Sequence, residues 1–313
     1  MKKERKLNLK RSISLVLTII VVILIAWYLK NNKEVFKHLR EIRFEYIAII
    51  ALLQIVNIGL SAAVNMMVIE SIDQRISYAD AFLLQYANNL LNKFISEGGA
   101  VYRGAYLKAR YGFPISKFLS SVGGVYIISL MANSVIGIIF LLTIFFIDHL
   151  FNLPVLILLL LFLVGSLTLL LFTPKFKKDT WFFRRINSVI DGWNKIKSDK
   201  RLVWKISLLS VLSLLVSSVS VFTVYKGLNT DIQIMNSIFY SSISGLVNIV
   251  NITPGNLGIT EAVLMFSSEI IGISDEIVVL GALLLRVVTL VTTLILGSIS
   301  YLILTYKLNK SSQ

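Results

Sequence analysis

The chain of 313 residues contains no cysteine. That excludes a disulfide framework, thiolate chemistry and a palmitoylation site. Histidine is almost as scarce, with only His38 and His149. Both fall in loops expected on the outer side of a membrane, and His149 beside Asp148 reads as a solvated loop pair. No metal-ligand spacing, no glycine-rich phosphate loop on a βα unit and no nucleophile elbow is present. Charge is sparse as well, at 15% of residues, and the acidic share is small: 17 Asp and Glu against 31 Lys and Arg. The side chains therefore call for no metal and no cofactor, and they favour translocation over catalysis.

Apolar residues fill the space. They make up 56% of the chain, with a mean hydropathy of +0.79. Several runs reach the roughly 20 residues that a bilayer-spanning helix needs. An all-α, multi-pass membrane protein follows. The first run, Ile13 to Leu29, comes after a basic head from Lys2 to Arg11 and ends in Trp27-Tyr28-Leu29-Lys30. Interfacial aromatic and basic residues replace the small residues of a cleavage site, so this run reads as an uncleaved span.

Charge orients the chain. Between 175 and 205 lie ten lysines and arginines, opposed only by Asp179, Asp191 and Asp199. The positive-inside rule places this loop and both termini in the cytoplasm of a cell membrane. Its juxtamembrane position assigns it to anionic lipid headgroups rather than to nucleic acid. Within it Phe182, Ile186, Val189, Ile190, Trp193 and Ile196 recur at helical spacing, with Arg185, Asn187 and Lys195 between them. An amphipathic helix on the inner leaflet is the expectation.

Six full spans are predicted at about 12–29, 46–69, 115–147, 153–172, 205–225 and 276–305. Two less apolar stretches, 80–112 and 233–273, each have to enter and leave on one side, as re-entrant or broken helical hairpins. The first opens inward and the second outward. Residues 1–148 and 149–313 then repeat one pattern in opposite orientation, span, span, hairpin, span. The second repeat also carries the basic loop, 173–205. Transporters built this way place their sites where broken helices meet near the midplane.

Polar stripes mark the hairpins. Gln85, Asn88, Asn92 and Ser96 recur at intervals of three and four, as do Ser237, Ser241, Ser244, Asn248 and Asn251. Lipid satisfies none of these groups, so each stripe faces a polar cavity or glues helices together. Each runs into a break, Glu97-Gly98-Gly99 or Pro254-Gly255-Asn256, then to a charge, Arg103 or Glu261. Ionisable groups at membrane depth are functional candidates by default. Glu261 suits an amine headgroup, a proton exchange, or an ion pair with Arg286 or Arg103. Arg103 suits bidentate phosphate binding, or anchoring together with Lys108 and Arg110.

The segment Asn251 to Glu261, with Arg286 in the last span, resembles the transmembrane domain of the lysylphosphatidylglycerol synthase family. Pro254, Gly255, Leu257, Gly258, Glu261 and Arg286 fit its Pro-Gly-x-Leu-Gly turn, nearby Glu and following Arg. Asn92, Gly99, Arg103, Gly112 and Ser116 occupy places of the first signature. There Gly99-Ala100 stands for the usual Gly-Glu, and no Arg lies between Val122 and Tyr126.

The resemblance implies a membrane module of bacterial polar-lipid metabolism. In full-length synthases such a module moves aminoacylated phosphatidylglycerol between leaflets, while a soluble domain charges the lipid from aminoacyl-tRNA. Here the chain reaches Gln313 just after the last span, so autonomous lysyl transfer is not expected. The implied ligands are an anionic or aminoacylated phospholipid, such as lysylphosphatidylglycerol, or a polyprenyl-linked precursor. Arg103 or Arg286 would hold phosphate and Glu261 a cationic headgroup, beside Asn92, Asn248, Asn251 and Asn256. Gly98, Gly99, Pro254, Gly255 and Gly258 would shape the turns. Two alternatives stay open: the membrane component of a phosphatidylglycerol lysyltransferase or glycosyltransferase system, with a separate soluble transferase as partner, and a small-solute secondary transporter.

Overall fold

The computed structural model describes residues 42–71, 75–94, 98–113, 115–172, 196–250, 256 and 259–311, with 180, 183, 187, 191, 193 and 194. Ten helices run through them: α1 Phe44–Glu70, α2 Tyr78–Phe94, α3 Gly98–Tyr111, α4 Ile115–Asp148, α5 Leu153–Leu171, α6 Lys200–Gly227, α7 Ile234–Val250, α8 Ile259–Phe266, α9 Ser268–Ile271 and α10 Asp275–Ser311. No strand occurs among the described residues. Among the described residues, five helices are long and apolar enough to cross a membrane: α1, α4 from Gly123 onward, α5, α6 and α10. The protein is an all-α, multi-pass membrane protein. The span expected at 12–29 lies outside the described residues.

Local sequence sets the ends. Asn152 caps α5 by accepting from the Val155 amide at 3.2 Å, with Pro154 in the first turn, where its missing N–H costs nothing. Asp199 caps α6 by accepting from the Leu202 amide at 3.0 Å. Gly112 and Gly272 stop α3 and α9 with φ of 66° and 74°. Only glycine enters that region without a Cβ penalty.

The helices expected as hairpins are too short to cross. α2 and α7 have 17 residues each, about 25 Å at ~1.5 Å per residue, against a hydrocarbon core of about 30 Å. Each returns to its own starting side. The Tyr111 hydroxyl, at the end of α3, donates to Asp80 Oδ2 at the start of α2 at 2.5 Å. Asn236 Nδ2, at the start of α7, donates to the Ile271 carbonyl at the end of α9 at 3.0 Å. The first mouth is tied to Lys307 near the end of α10, through Nζ to Asp80 Oδ1 at 2.5 Å. The second lies beside the start of α10, where the Ser268 hydroxyl donates to Asp275. The mouths therefore sit at opposite ends of the last span.

α1 and α6 cross antiparallel at the centre. Asn57 Nδ2 donates to Ser217 Oγ at 2.7 Å and to the Ser213 carbonyl at 3.4 Å, and the Ser213 hydroxyl donates back to Asn57. Small residues let the other pairs close. At Gly297 of α10 a Cβ would meet Leu90 at 2.8 Å and the Tyr86 carbonyl at 3.1 Å, both on α2. At Gly137 of α4 it would meet Leu159 of α5 at 2.7 Å and Ser242 of α7 at 2.9 Å. Asn57 and Ser217 are 160 positions apart, and so are the members of the pairs Gly112 and Gly272, and Gly137 and Gly297.

The basic loop departs from expectation at two positions. Trp193 and Ile196 are buried in a cluster with Val64, Val68, Ile127 and Ile128, under the bare backbone of Gly124, instead of facing lipid. Phe182, Ile186, Val189 and Ile190 lie outside the described residues.

Candidate functional site

The first hairpin is closed by its own polar side chains. Asn92 Oδ1 accepts from the Gly99 amide at 2.8 Å, joining the end of α2 to the start of α3. A Cβ at Gly99 would overlap the Asn88 carbonyl, so the two helices touch backbone to backbone there. Gly98 starts α3 half-buried. Arg103 is buried one turn further on and donates from Nη1 to Gln85 Oε1 at 3.0 Å. The same oxygen accepts from Asn65 Nδ2 at 2.9 Å, so one carbonyl ties α1, α2 and α3 together. Gln85 Nε2 and Asn88 Nδ2 both donate to Asn89 Oδ1, at 3.4 and 3.2 Å. In this hairpin the stripe residues Gln85, Asn88 and Asn92 bond within the protein. Ser96 lies outside the described residues.

The second hairpin is built differently at its tip. Asn256 has φ of 53°, a left-handed conformation that asparagine tolerates better than most residues. Its Nδ2 donates to the Val247 carbonyl at 3.1 Å and to Asn248 Oδ1 at 3.3 Å, folding the turn back onto α7. Its own carbonyl accepts from Arg286 Nη2 at 3.3 Å. The same Nη2 stands 2.9 Å from Glu261 Oε1. Asn248 is exposed, whereas Ser237, Ser241 and Ser242 on the same helix are buried. Asn251, Pro254, Gly255 and Gly258 lie outside the described residues.

Sequence reasoning left Glu261 with two arginines to choose from. The geometry selects Arg286: their side chains are 8% and 20% exposed and in contact, while Arg103 lies in the other hairpin against Gln85. Tyr240 of α7 interacts electrostatically with both members of the pair and stacks edge-on against Tyr225 at 6.0 Å. Lys93, in the last turn of α2, interacts electrostatically with Arg286. Arg286 thus bonds the turn of the second hairpin at Asn256, and the last turn of α2 in the first hairpin lies within electrostatic reach of it. Neither Lys93 nor Tyr240 was singled out from sequence: a lysine ending a helix reads as an anchor, and a tyrosine in an apolar run reads as core. No group of three potential metal-ligating side chains occurs among the described residues.

No curated protein and no solved structure gives a significant match to the chain. The family model described as the lysylphosphatidylglycerol synthase TM region matches residues 13–297, and with the Pro254–Glu261 segment and Arg286 inside that match the chain belongs to this family.

Proposed function

We propose that the protein moves a polar lipid headgroup between leaflets, an aminoacylated phospholipid such as lysylphosphatidylglycerol being the substrate that suits the site best. The observation that carries this reading is the buried Arg286–Glu261 pair, held against the turn of the second hairpin at Asn256 between two hairpins with opposite mouths. Breaking a buried ion pair strands two charges and costs several kcal/mol. A headgroup with both a phosphate and an ammonium removes that obstacle, because Arg286 exchanges Glu261 for phosphate while Glu261 accepts the amine. Such a ligand is matched in sign at both ends. The acyl chains stay in lipid while the headgroup follows the seam past exposed Asn248. The 160-residue interval between matched contacts supports two repeats of opposite orientation, with the basic loop and both termini cytoplasmic.

The test is lipid mass spectrometry in a deletion strain complemented with wild type or with Glu261→Gln/Arg286→Gln, the outer leaflet being read by an impermeant amine label. Removing both charges together strands neither member of the pair, so the double variant is expected to fold. The total aminoacyl-phospholipid pool should hold while the outer fraction falls. A fall in the total pool instead would mean that the chain serves synthesis, as the membrane component of a transferase system. Unchanged pools would remove the lipid reading.

A further inference from the structure

The Arg286–Glu261 pair does not use up the positive charge at the tips. Arg286 gives Nη2 to both Glu261 and the Asn256 carbonyl, whereas Nη1 is buried and meets no acceptor among the described residues. The first hairpin brings a second cation: α2 runs antiparallel along α10, with Asp80 on Lys307 and Leu90 against Gly297, and that register carries Lys93, one turn past Leu90, toward Arg286. Among the described residues no carboxylate forms a salt bridge with Lys93. Among the described residues, two cations therefore face one carboxylate where charge is poorly screened.

Position rules out the ordinary reading of Lys93 as an interfacial anchor. Lys93 is 13 residues along α2 from Asp80, about 20 Å at ~1.5 Å per residue, and Asp80 marks the mouth beside Lys307. A lysine that snorkels reaches for the membrane surface at a helix end; this one ends a helix that stops inside. The C-terminal carbonyls of α2 offset part of the charge, since a helix end carries only about half an elementary charge.

We propose that Lys93 and the Nη1 edge of Arg286 form a phosphate-binding subsite that bridges the two hairpins, the first supplying the ammonium and the last span the guanidinium. A phosphate presents several oxygens, so one takes Nη1 and another takes Lys93 while Glu261 keeps Nη2 or turns to an amine. The anion is the phosphodiester of a lipid headgroup or free phosphate. This assignment rests on the reading of Arg286 as the phosphate-facing residue, and it adds the residue that makes binding depend on both hairpins at once. Occupancy would draw the first tip toward the second.

The full chain in detergent is titrated with inorganic phosphate and, separately, with phosphatidylglycerol in mixed micelles, binding being read by intrinsic fluorescence. Lys93→Gln is expected to weaken binding by about tenfold or more, the scale of losing one charge-assisted contact, and Lys93→Arg to restore most of it. Glu97→Gln is the control for the carboxylate nearest to Lys93 in sequence, and it should bind as wild type. If Glu97→Gln weakens binding as much as Lys93→Gln, Lys93 is only its partner and the subsite falls. Unaltered binding by Lys93→Gln overturns it as well. Binding of both probes identifies a general phosphate site, and binding of the lipid alone identifies the headgroup. Should Lys93→Gln fail to fold, wild type answers the question: bound phosphate or phosphatidylglycerol should protect Lys93 from a membrane-permeant acylating reagent, and equal labelling with and without ligand overturns the assignment. Binding that depends on Lys93 alongside unchanged lipid pools in the deletion strain would keep the subsite and discard translocation. The reverse pattern would discard the subsite alone.

Discussion

Glu261 and Arg286 hold each other at 2.9 Å with little of either side chain exposed. A pair so placed gives an asymmetric mutational signature. Glu261→Gln or Arg286→Gln alone leaves a buried charge without its counter-ion and should cost about 3–5 kcal/mol of stability. The double variant strands neither member of the pair and should recover most of that loss. Thermal unfolding in detergent, set out as a double-mutant cycle, measures the coupling; additive single effects would mean that the contact carries no energy. Both residues were legible in the sequence, because a charge inside an apolar run has no reading other than a partner or a site. Their pairing was not legible. Arg103 was an equal candidate for Glu261 until the tertiary fold put it one turn beyond the Asn92–Gly99 bond, facing Gln85. Lys93 escaped notice for a related reason: its depth depends on where α2 stops in the bilayer, which spacing along the chain does not record.

Elements were easier to read than contacts. The stretch expected at 80–112 is α2 and α3, within two residues at each end, and that expected at 233–273 is α7 to α9. Both show in sequence because a polar stripe and a glycine break interrupt a hydrophobic run. The function of each stripe does not show, since one pattern makes different contacts: Gln85, Asn88 and Asn92 bond within the first hairpin and to its neighbours, while Ser237 and Ser241 are buried and exposed Asn248 accepts from Asn256 to close the turn. At the first tip the element depends on one missing methyl. Gly99→Ala would press a Cβ into the Asn88 carbonyl, which is backbone and has no rotamer to yield. The expected loss is about 1–3 kcal/mol, the ordinary cost of overpacking, seen as a lower unfolding midpoint. Gly165→Ala is the matched control, because nothing lies within 4 Å of its added carbon. Equal effects at the two positions would show that α2 and α3 separate without penalty.

For the whole molecule, what matters is that the two mouths lie at opposite ends of α10, while the second hairpin's turn bonds Arg286 and the last turn of α2 lies within electrostatic reach of it. On the proposed reading a headgroup crosses only if one mouth opens while the other is shut, and rigid pairs such as α1 with α6 serve as the frame. In the present structure the first mouth is tied to the last span. Asp80 receives Lys307 Nζ and the Tyr111 hydroxyl, each at 2.5 Å, which fastens both arms of the hairpin to the end of the last span. Because the natural chain has no cysteine, that fastening can be made covalent without removing any native thiol. Asp80→Cys/Lys307→Cys, joined by a short bis-methanethiosulfonate that forms a disulfide with each thiol and releases methanesulfinate, should retain the fold and phosphate binding yet lose outer-leaflet delivery of the lipid. Cleaving the linker should restore delivery. The same double variant before cross-linking separates the loss of the ion pair from the loss of motion, since it lacks the pair but keeps a mobile mouth. Delivery that continues in the cross-linked protein would show that the first mouth need not open, and the headgroup would then have to pass along the outside of the hairpin instead of between its arms and α10.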